Sequence, residues 1–86
     1  IIYNKIQMER TEILSKIQEI LADVIDKDDL VLNESSSPST VEDWDSLAHF
    51  NLIMELQNEF GIKFGAAEIQ GWKIVGDIIN SVISKI

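Results

Sequence analysis

The chain has 86 residues, a formal net charge of −8, 45% hydrophobic and 26% charged residues, and no cysteine. This size and composition predict one globular domain over residues 1–86, and the missing cysteines exclude disulfides, thiolate metal sites and a cysteine nucleophile. The acidic charge argues against nucleic acid as a partner. The sequence shows neither a membrane-spanning apolar run nor a signal-peptide pattern. With the missing cysteines, this leads us to expect a cytoplasmic protein; we also expect a monomer.

The first predicted helix is amphipathic. Apolar residues recur at spacings of three and four from Ile13 to Ile25, the period of a helix with one buried face. Two starts are open, a capping box of Asn4 with Gln7 and a later start near Thr11. The turn-forming residues after Ile25 predict its end.

A long connection follows, over residues 26–43, with the only proline of the chain inside a run of serines. Loops of this length are uncommon in small domains and are often functional. We expect three consecutive apolar residues, Leu30, Val31 and Leu32, to hold the connection against the core.

The acids of the chain are concentrated before the second predicted helix. Between residues 23 and 45, Lys27 is the only base among eight carboxylates: Asp23, Asp26, Asp28, Asp29, Glu34, Glu42, Asp43 and Asp45. Such a cluster favours a basic protein partner over a role in solubility alone.

Three more helices are predicted. The second runs from Ser46 to Phe60 and stops at Gly61, a typical residue after a helix end. A short helix is expected over residues 66–70, between glycines, and the last begins near Lys73 or Ile74 with a broad apolar face: Ile74, Val75, Ile78, Ile79, Val82, Ile83 and Ile86. The fold class is therefore all-α, a small four-helix bundle of three main helices and one short one, with a long loop between the first two.

The second helix carries two apolar faces at about 100° per residue. One face suits the core: Leu52, Ile53, Leu56 and Phe60. The opposite face, which we call the apolar stripe, contains three residues: Leu47, Phe50 and Met54. An exposed stripe with Phe and Met is typical of a docking surface. The alternative is a central helix buried on both sides, but Asn51 and Asn58 beside the stripe argue against it.

Ser46 stands at the predicted start of this helix. Asp45 or Ser46 is a natural N-cap. A catalytic serine needs a base and a group that orients the base; the only histidine is His49, and no orienting acid is apparent. The acids of the connection lack the glycine and terminal glutamate of a calcium-binding EF-hand loop. We therefore predict no catalytic residue and no metal site. A helix start instead stabilises a phosphate group through its free N–H groups and its dipole.

The segments "DSL" at residues 45–47, "EFGI" at 59–62 and "VGDII" at 75–79 resemble the acyl carrier protein family over nearly the whole chain. The resemblance implies a carrier and not an enzyme. It implies that Ser46 bears 4′-phosphopantetheine, transferred from coenzyme A by a magnesium-dependent phosphopantetheinyl transferase, and that Asp45 assists this recognition. It also places partner docking on Leu47, Phe50 and Met54.

The resemblance implies partners with basic docking surfaces: the transferase, an acyl-loading ligase or synthase, and acyltransferases. Carriers of fatty acid synthesis usually have more acids along the second helix, where this chain keeps Glu55 and Glu59. We therefore expect Glu42 and Asp43 of the connection to contribute to docking together with Glu55. The departure favours a specialised lipid or polyketide pathway over the standard fatty acid synthase partners.

Two alternatives stay open. One is an aminoacyl or peptidyl carrier of a nonribosomal or cell-wall modification pathway, which shares the chemistry but not the cargo. The other is an unmodified helical adaptor that docks through Leu47, Phe50 and Met54 alone. Trp44 and Trp72 are unusual for the family; we expect both to pack in the core, although Trp44 is also placed to flank the pantetheine arm.

Overall fold

The computed structural model describes residues 8–86, and within that range it contains four helices and no strand. They are α1 (Arg10–Val24), α2 (Ser46–Phe60), α3 (Ala66–Gln70) and α4 (Val75–Ile83). α1 packs against both α2 and α4. The predicted all-α architecture of three main helices, one short helix and a long loop is confirmed.

The ends of the helices follow from local chemistry. α1 begins close to the later of the two predicted starts, where the N–H of Glu9 donates to the Glu12 carboxylate at 2.8 Å; the predicted box of Asn4 with Gln7 lies outside the described residues. Gly61 ends α2 with φ of 64°, and its N–H donates to the carbonyl of Gln57. This left-handed conformation strains any residue with a Cβ, which explains the glycine.

One core lies between the helices. Its fully buried members come from the inward faces of α1, α2 and α4: Ile13, Ile17, Leu21, Leu52, Leu56, Val75, Ile78, Ile79 and Val82. The predicted core face of α4 was too broad, because Ile74, Ile83 and Ile86 are exposed. Ile74 is the N-cap and Ile86 follows the helix end, so neither has helical geometry, and Ile83 lies at the edge of the face.

The long connection is anchored at two places. Leu32 is buried, and Leu30 packs against the core, but Val31 is 80% exposed, so the expectation that all three hold the loop was wrong for Val31. Val31 therefore points outward between two neighbours that face the core.

The second anchor is the start of α4. The N–H groups of Val75 and Gly76 donate to the carbonyls of Ser36 and Glu34, both at 2.8 Å. A Cβ on Gly76 would lie 3.3 Å from the Glu34 carbonyl oxygen, so glycine permits this close approach. The connection thereby supplies acceptors that the helix start otherwise lacks. None of the helices in residues 8–86 has both the length and the apolar character that crossing a membrane requires.

Candidate functional site

The mouth of α2 places Ser46 on the surface. Asp45 has extended backbone geometry, and its carboxylate accepts the N–H of Ala48 at 2.9 Å, so Asp45 and not Ser46 is the N-cap. Ser46, the first residue of α2, is exposed. The N–H groups of Ser46 and Leu47 have no acceptor within the helix, as at any helix start. The site therefore presents an exposed hydroxyl beside free N–H donors and the positive end of a helix dipole.

His49 is not placed to act as a base for Ser46. Its Nδ1 accepts a hydrogen bond from the Trp44 indole at 3.0 Å. Burial lowers the pKa of His49, which favours the neutral ring. Since Nδ1 is the acceptor in that ring, Nε2 carries the proton and has no lone pair for a serine hydroxyl. A serine hydrolase built on this pair is excluded.

The part of the chain that the structure describes contains no side-chain cluster suited to binding a metal ion. Between residues 8 and 86, no group of three or more His, Cys, Asp or Glu side chains is positioned to hold a metal ion.

The two faces of α2 differ sharply in exposure. On the predicted core side, Leu52, Ile53 and Leu56 are buried, but Phe60 is only partly buried because it is the last residue of the helix. The apolar stripe is exposed as predicted: Leu47 68%, Phe50 59% and Met54 45%. The stripe begins beside Ser46 and runs along the helix for two turns.

The acids proposed for docking have different surroundings. Lys27 approaches Asp43 at 3.2 Å and Glu42 at 4.0 Å, and its hydrogen bond with Asp43 raises the pKa of the lysine. Glu42 remains highly exposed. Glu55 is exposed and forms no ion pair within residues 8–86. Part of the acidity before α2 is thus neutralised by Lys27, and Glu42 and Glu55 are the more available charges.

On α2 itself, Glu59 is also partly neutralised. The Lys16 ammonium of α1 lies 3.3 Å from the Glu59 carboxylate and 3.7 Å from that of Glu19. The hydrogen bond with Glu59 is the main cause of a raised pKa of Lys16. Glu59 therefore helps to join α1 to α2, while Glu55 keeps its charge available.

An aromatic cluster beside Ser46 was not predicted as a unit. Trp44 is buried, as expected, and Trp72 packs against the core. The ring of His49 lies between them, with centroid distances of 5.8 Å to Trp44 and 6.2 Å to Trp72. The sequence places only Trp44 and His49 near the helix mouth; Trp72 is distant in sequence and gave no signal that it joins them.

Known acyl carrier proteins match nearly the whole chain. The protein from Thermotoga maritima is 30% identical over 77 residues, which are 90% of this chain and 95% of that protein. The protein from Rubrobacter xylanophilus is 36% identical over 76 residues, 88% of this chain and 94% of that protein. No protein-family model matches the chain.

A solved structure shows the same fold. The solution structure of holo acyl carrier protein from Geobacter metallireducens superimposes with a TM-score of 0.77 at 39% identity, covering 84% of this chain and 83% of that one. Sequence relatives and fold agree, and the chain belongs to the acyl carrier protein family, whose members are carriers and not enzymes.

Proposed function

We propose that Ser46 bears a 4′-phosphopantetheine arm and that the chain delivers acyl groups, held on this arm as thioesters, to partner enzymes. The observation that carries the proposal is the geometry of the α2 mouth: an exposed Ser46 hydroxyl beside the N-cap residue Asp45 and next to N–H groups without helical acceptors. A phosphate on this oxygen gains from those donors and from the helix dipole.

The site fits this prosthetic group chemically. The chain contains no cysteine, and the arm, when bound, supplies the thiol on which acyl groups form thioesters. The Geobacter metallireducens relative is a holo acyl carrier protein, which supports the presence of a prosthetic arm on this chain as well. Because Ser46 does not cap α2, its hydroxyl is left for modification without loss of the N-cap bond.

Partners dock, in this proposal, on the apolar stripe of Leu47, Phe50 and Met54. The stripe lies on the same helix as Ser46, so an enzyme seated on it faces the arm. Exposed Phe and Met contribute contact area, and the net charge of −8 favours partners with basic surfaces. The partners are a phosphopantetheinyl transferase, an acyl-loading ligase or synthase, and acyltransferases, all acting on a monomer in the cytoplasm.

The pathway proposed is fatty acid synthesis or a specialised lipid or polyketide pathway. The few available acids on α2 favour the specialised one, since Glu59 is paired with Lys16 and Glu55 is left. Loading assays that offer acyl and aminoacyl donors to a modified chain separate this proposal from an aminoacyl or peptidyl carrier.

The test of attachment is the intact mass after incubation with coenzyme A, Mg²⁺ and a phosphopantetheinyl transferase. We expect wild type to gain the mass of one phosphopantetheine and Ser46→Ala to gain none. Ser15→Ala, an exposed serine of α1, is the matched control and should be modified like wild type. Modification of Ser46→Ala, or an unmodified wild type, would overturn the proposal.

A further inference from the structure

A side-chain hydrogen bond joins Trp44 and His49, which lie on either side of Ser46 in the sequence. The indole N–H of Trp44 donates to Nδ1 of His49, and between these two residues lie the N-cap Asp45 and Ser46. Trp44 is only 4% exposed, so its indole has little access to water as an alternative acceptor. The segment leading into α2 is therefore tied to the first turn of the helix by a side-chain bond as well as by the cap.

The pair of Trp44 and His49 is linked through Trp72 to α4. His49 meets Trp72 edge to face at an interplanar angle of 86°, and Trp72 meets Phe64 in the same manner at 4.8 Å. The indole of Trp72 donates to Ser81 Oγ of α4 at 2.8 Å. Edge-to-face contacts fix the relative orientation of aromatic rings. The mouth of α2 is thereby oriented against the α3–α4 connection and α4.

The bond requires a neutral imidazole. A protonated ring carries hydrogen on both nitrogens and can accept nothing from Trp44. Among the described residues, Lys73 is the only other charged residue that lines the cavity of about 50 Å³ beside this ring; Asp45 of the helix mouth and Asp77 of α4 do not line it, and both accept backbone N–H groups. The Lys73 ammonium and the positive end of the α2 dipole both disfavour a positive charge on His49.

We propose that His49 is a positioning residue for the modification of Ser46, because its bond to Trp44 holds the Trp44–Ser46 backbone in the orientation that presents the hydroxyl. The inference rests on the proposed function. In the transfer, Ser46 Oγ forms a bond to the pantetheine-side phosphorus of coenzyme A as the pyrophosphate bond breaks. Adenosine 3′,5′-bisphosphate leaves, and the hydroxyl proton passes to a base of the transferase. His49 touches none of the reacting atoms.

Two variants distinguish the contribution of the hydrogen bond to Trp44 from that of the aromatic ring of His49. His49→Phe keeps a ring but removes the acceptor, and His49→Asn keeps an oxygen acceptor near the Nδ1 position but cannot titrate. At about pH 7.5, where neutral histidine predominates, we expect His49→Phe to lower kcat by about tenfold with KM little changed, because docking is intact while the hydroxyl is misplaced. His49→Asn should restore most of the rate.

Trp44→Phe tests the same bond from the donor side. The Trp44→Phe/His49→Phe double variant should be no slower than His49→Phe alone, since one interaction cannot be lost twice. Additive losses in this cycle would contradict the proposal.

The decisive experiment is a competition assay in which wild type and His49→Asn are modified in one tube. Intact mass gives the modified fraction of each protein. The ratio of the two modification rates cancels the pH profile of the transferase. Because the pKa of His49 is lowered by burial, its contribution is present above the usual histidine pKa of about 6.5 and is lost as pH falls through the folded-state pKa. We expect the wild-type share to fall as the pH is lowered from about 7.5 through the folded-state pKa of His49, which lies below the usual value of about 6.5.

A share that stays constant down to a pH at which His49 is protonated, or a His49→Phe variant as fast as wild type, would overturn the inference while leaving Ser46 as the attachment site. A wild type that is not modified at any pH would instead overturn the proposed function. The competition needs only wild type and His49→Asn, so it decides the matter even if His49→Phe does not fold.

Discussion

The two faces of α2 carry similar residues and have opposite environments. Leu52 and Leu56 are fully buried against α1, whereas Leu47, next to Ser46, and Phe50, one turn further on, face solvent. Burying an apolar side chain stabilises the fold by about 1.5–3 kcal/mol, so leaving three such residues exposed forgoes stability that a small domain has little of. The apolar residues on one face of α2 therefore serve folding, and those on the other face are available for association.

The largest expected effect is on the buried face. Leu56→Ala removes a side chain with no solvent exposure and should cost about 2–5 kcal/mol, whereas Phe50→Ala should change stability by no more than about 0.5 kcal/mol. At about 4–8 °C per kcal/mol for a chain of this size, thermal melts resolve the two. Equal losses of stability in the two variants would show that the exposed stripe is part of the core, and the two faces of α2 would then not differ in role.

The next effect is on docking. Phe50→Ala should lower kcat/KM of the phosphopantetheinyl transferase by about tenfold, mostly through KM, because a central aromatic residue often dominates an interface. Ile83→Ala is the matched control, an exposed apolar residue of α4 with 40% exposure. It should leave kcat/KM unchanged; a similar loss in both variants would mean that exposed apolar surface in general, and not the stripe, supports the reaction.

A third prediction compares the two residues at the helix mouth. Asp45→Ala removes the N-cap bond to Ala48 and should cost about 0.5–2 kcal/mol, whereas Asp45→Asn keeps a capping oxygen and should cost a few tenths. Ser46→Ala should leave the unfolding free energy nearly unchanged, because Ser46 is not the cap. Urea unfolding measures all three. A loss in Ser46→Ala as large as in Asp45→Ala would contradict this division between folding and function.

The smallest effect concerns the acids beside the stripe. Glu42→Gln with Asp43→Asn should raise KM and weaken its salt dependence at least as much as Glu55→Gln with Glu59→Gln, since each pair contains one acid held by a lysine, Asp43 by Lys27 and Glu59 by Lys16, and Glu42 is highly exposed. Each exposed charge contributes roughly 1 kcal/mol or less and is screened over about 8 Å at physiological ionic strength. Transferase assays across a salt series compare the pairs. If only the helix pair matters, the acids of the connection take no part in docking.

Much of the fold was predictable because helices have a period. The bounds of α2 and α3, the glycine after α2 and the two faces of α2 follow from spacing alone, and the structure confirms them. Val31 was not predictable in the same way, because side-chain direction in a loop depends on contacts with distant residues. The backbone N–H of Leu32, for example, donates to the side chain of Gln18 in α1, which is distant in sequence.

The residues of the candidate site likewise fall into a group that was predictable from the sequence and a group that was not. The exposed serine and the capping aspartate were predictable from "DSL" at a helix start. The bond between Trp44 and His49 was not, because Trp44 precedes the helix and the rules for side chains three or four apart do not reach it. Its partner in the cluster, Trp72, arrives only through the packing of the α3–α4 connection.

The most direct measurement is the location of the prosthetic group by fragmentation mass spectrometry of the modified wild-type chain. The sequence offers a stringent comparison, since four serines lie in the connection at residues 35, 36, 37 and 39 and one stands at the mouth of α2. We predict a single phosphopantetheine on Ser46 and none on the other four serines. A group attached within residues 35–39, or distributed over several serines, would contradict it.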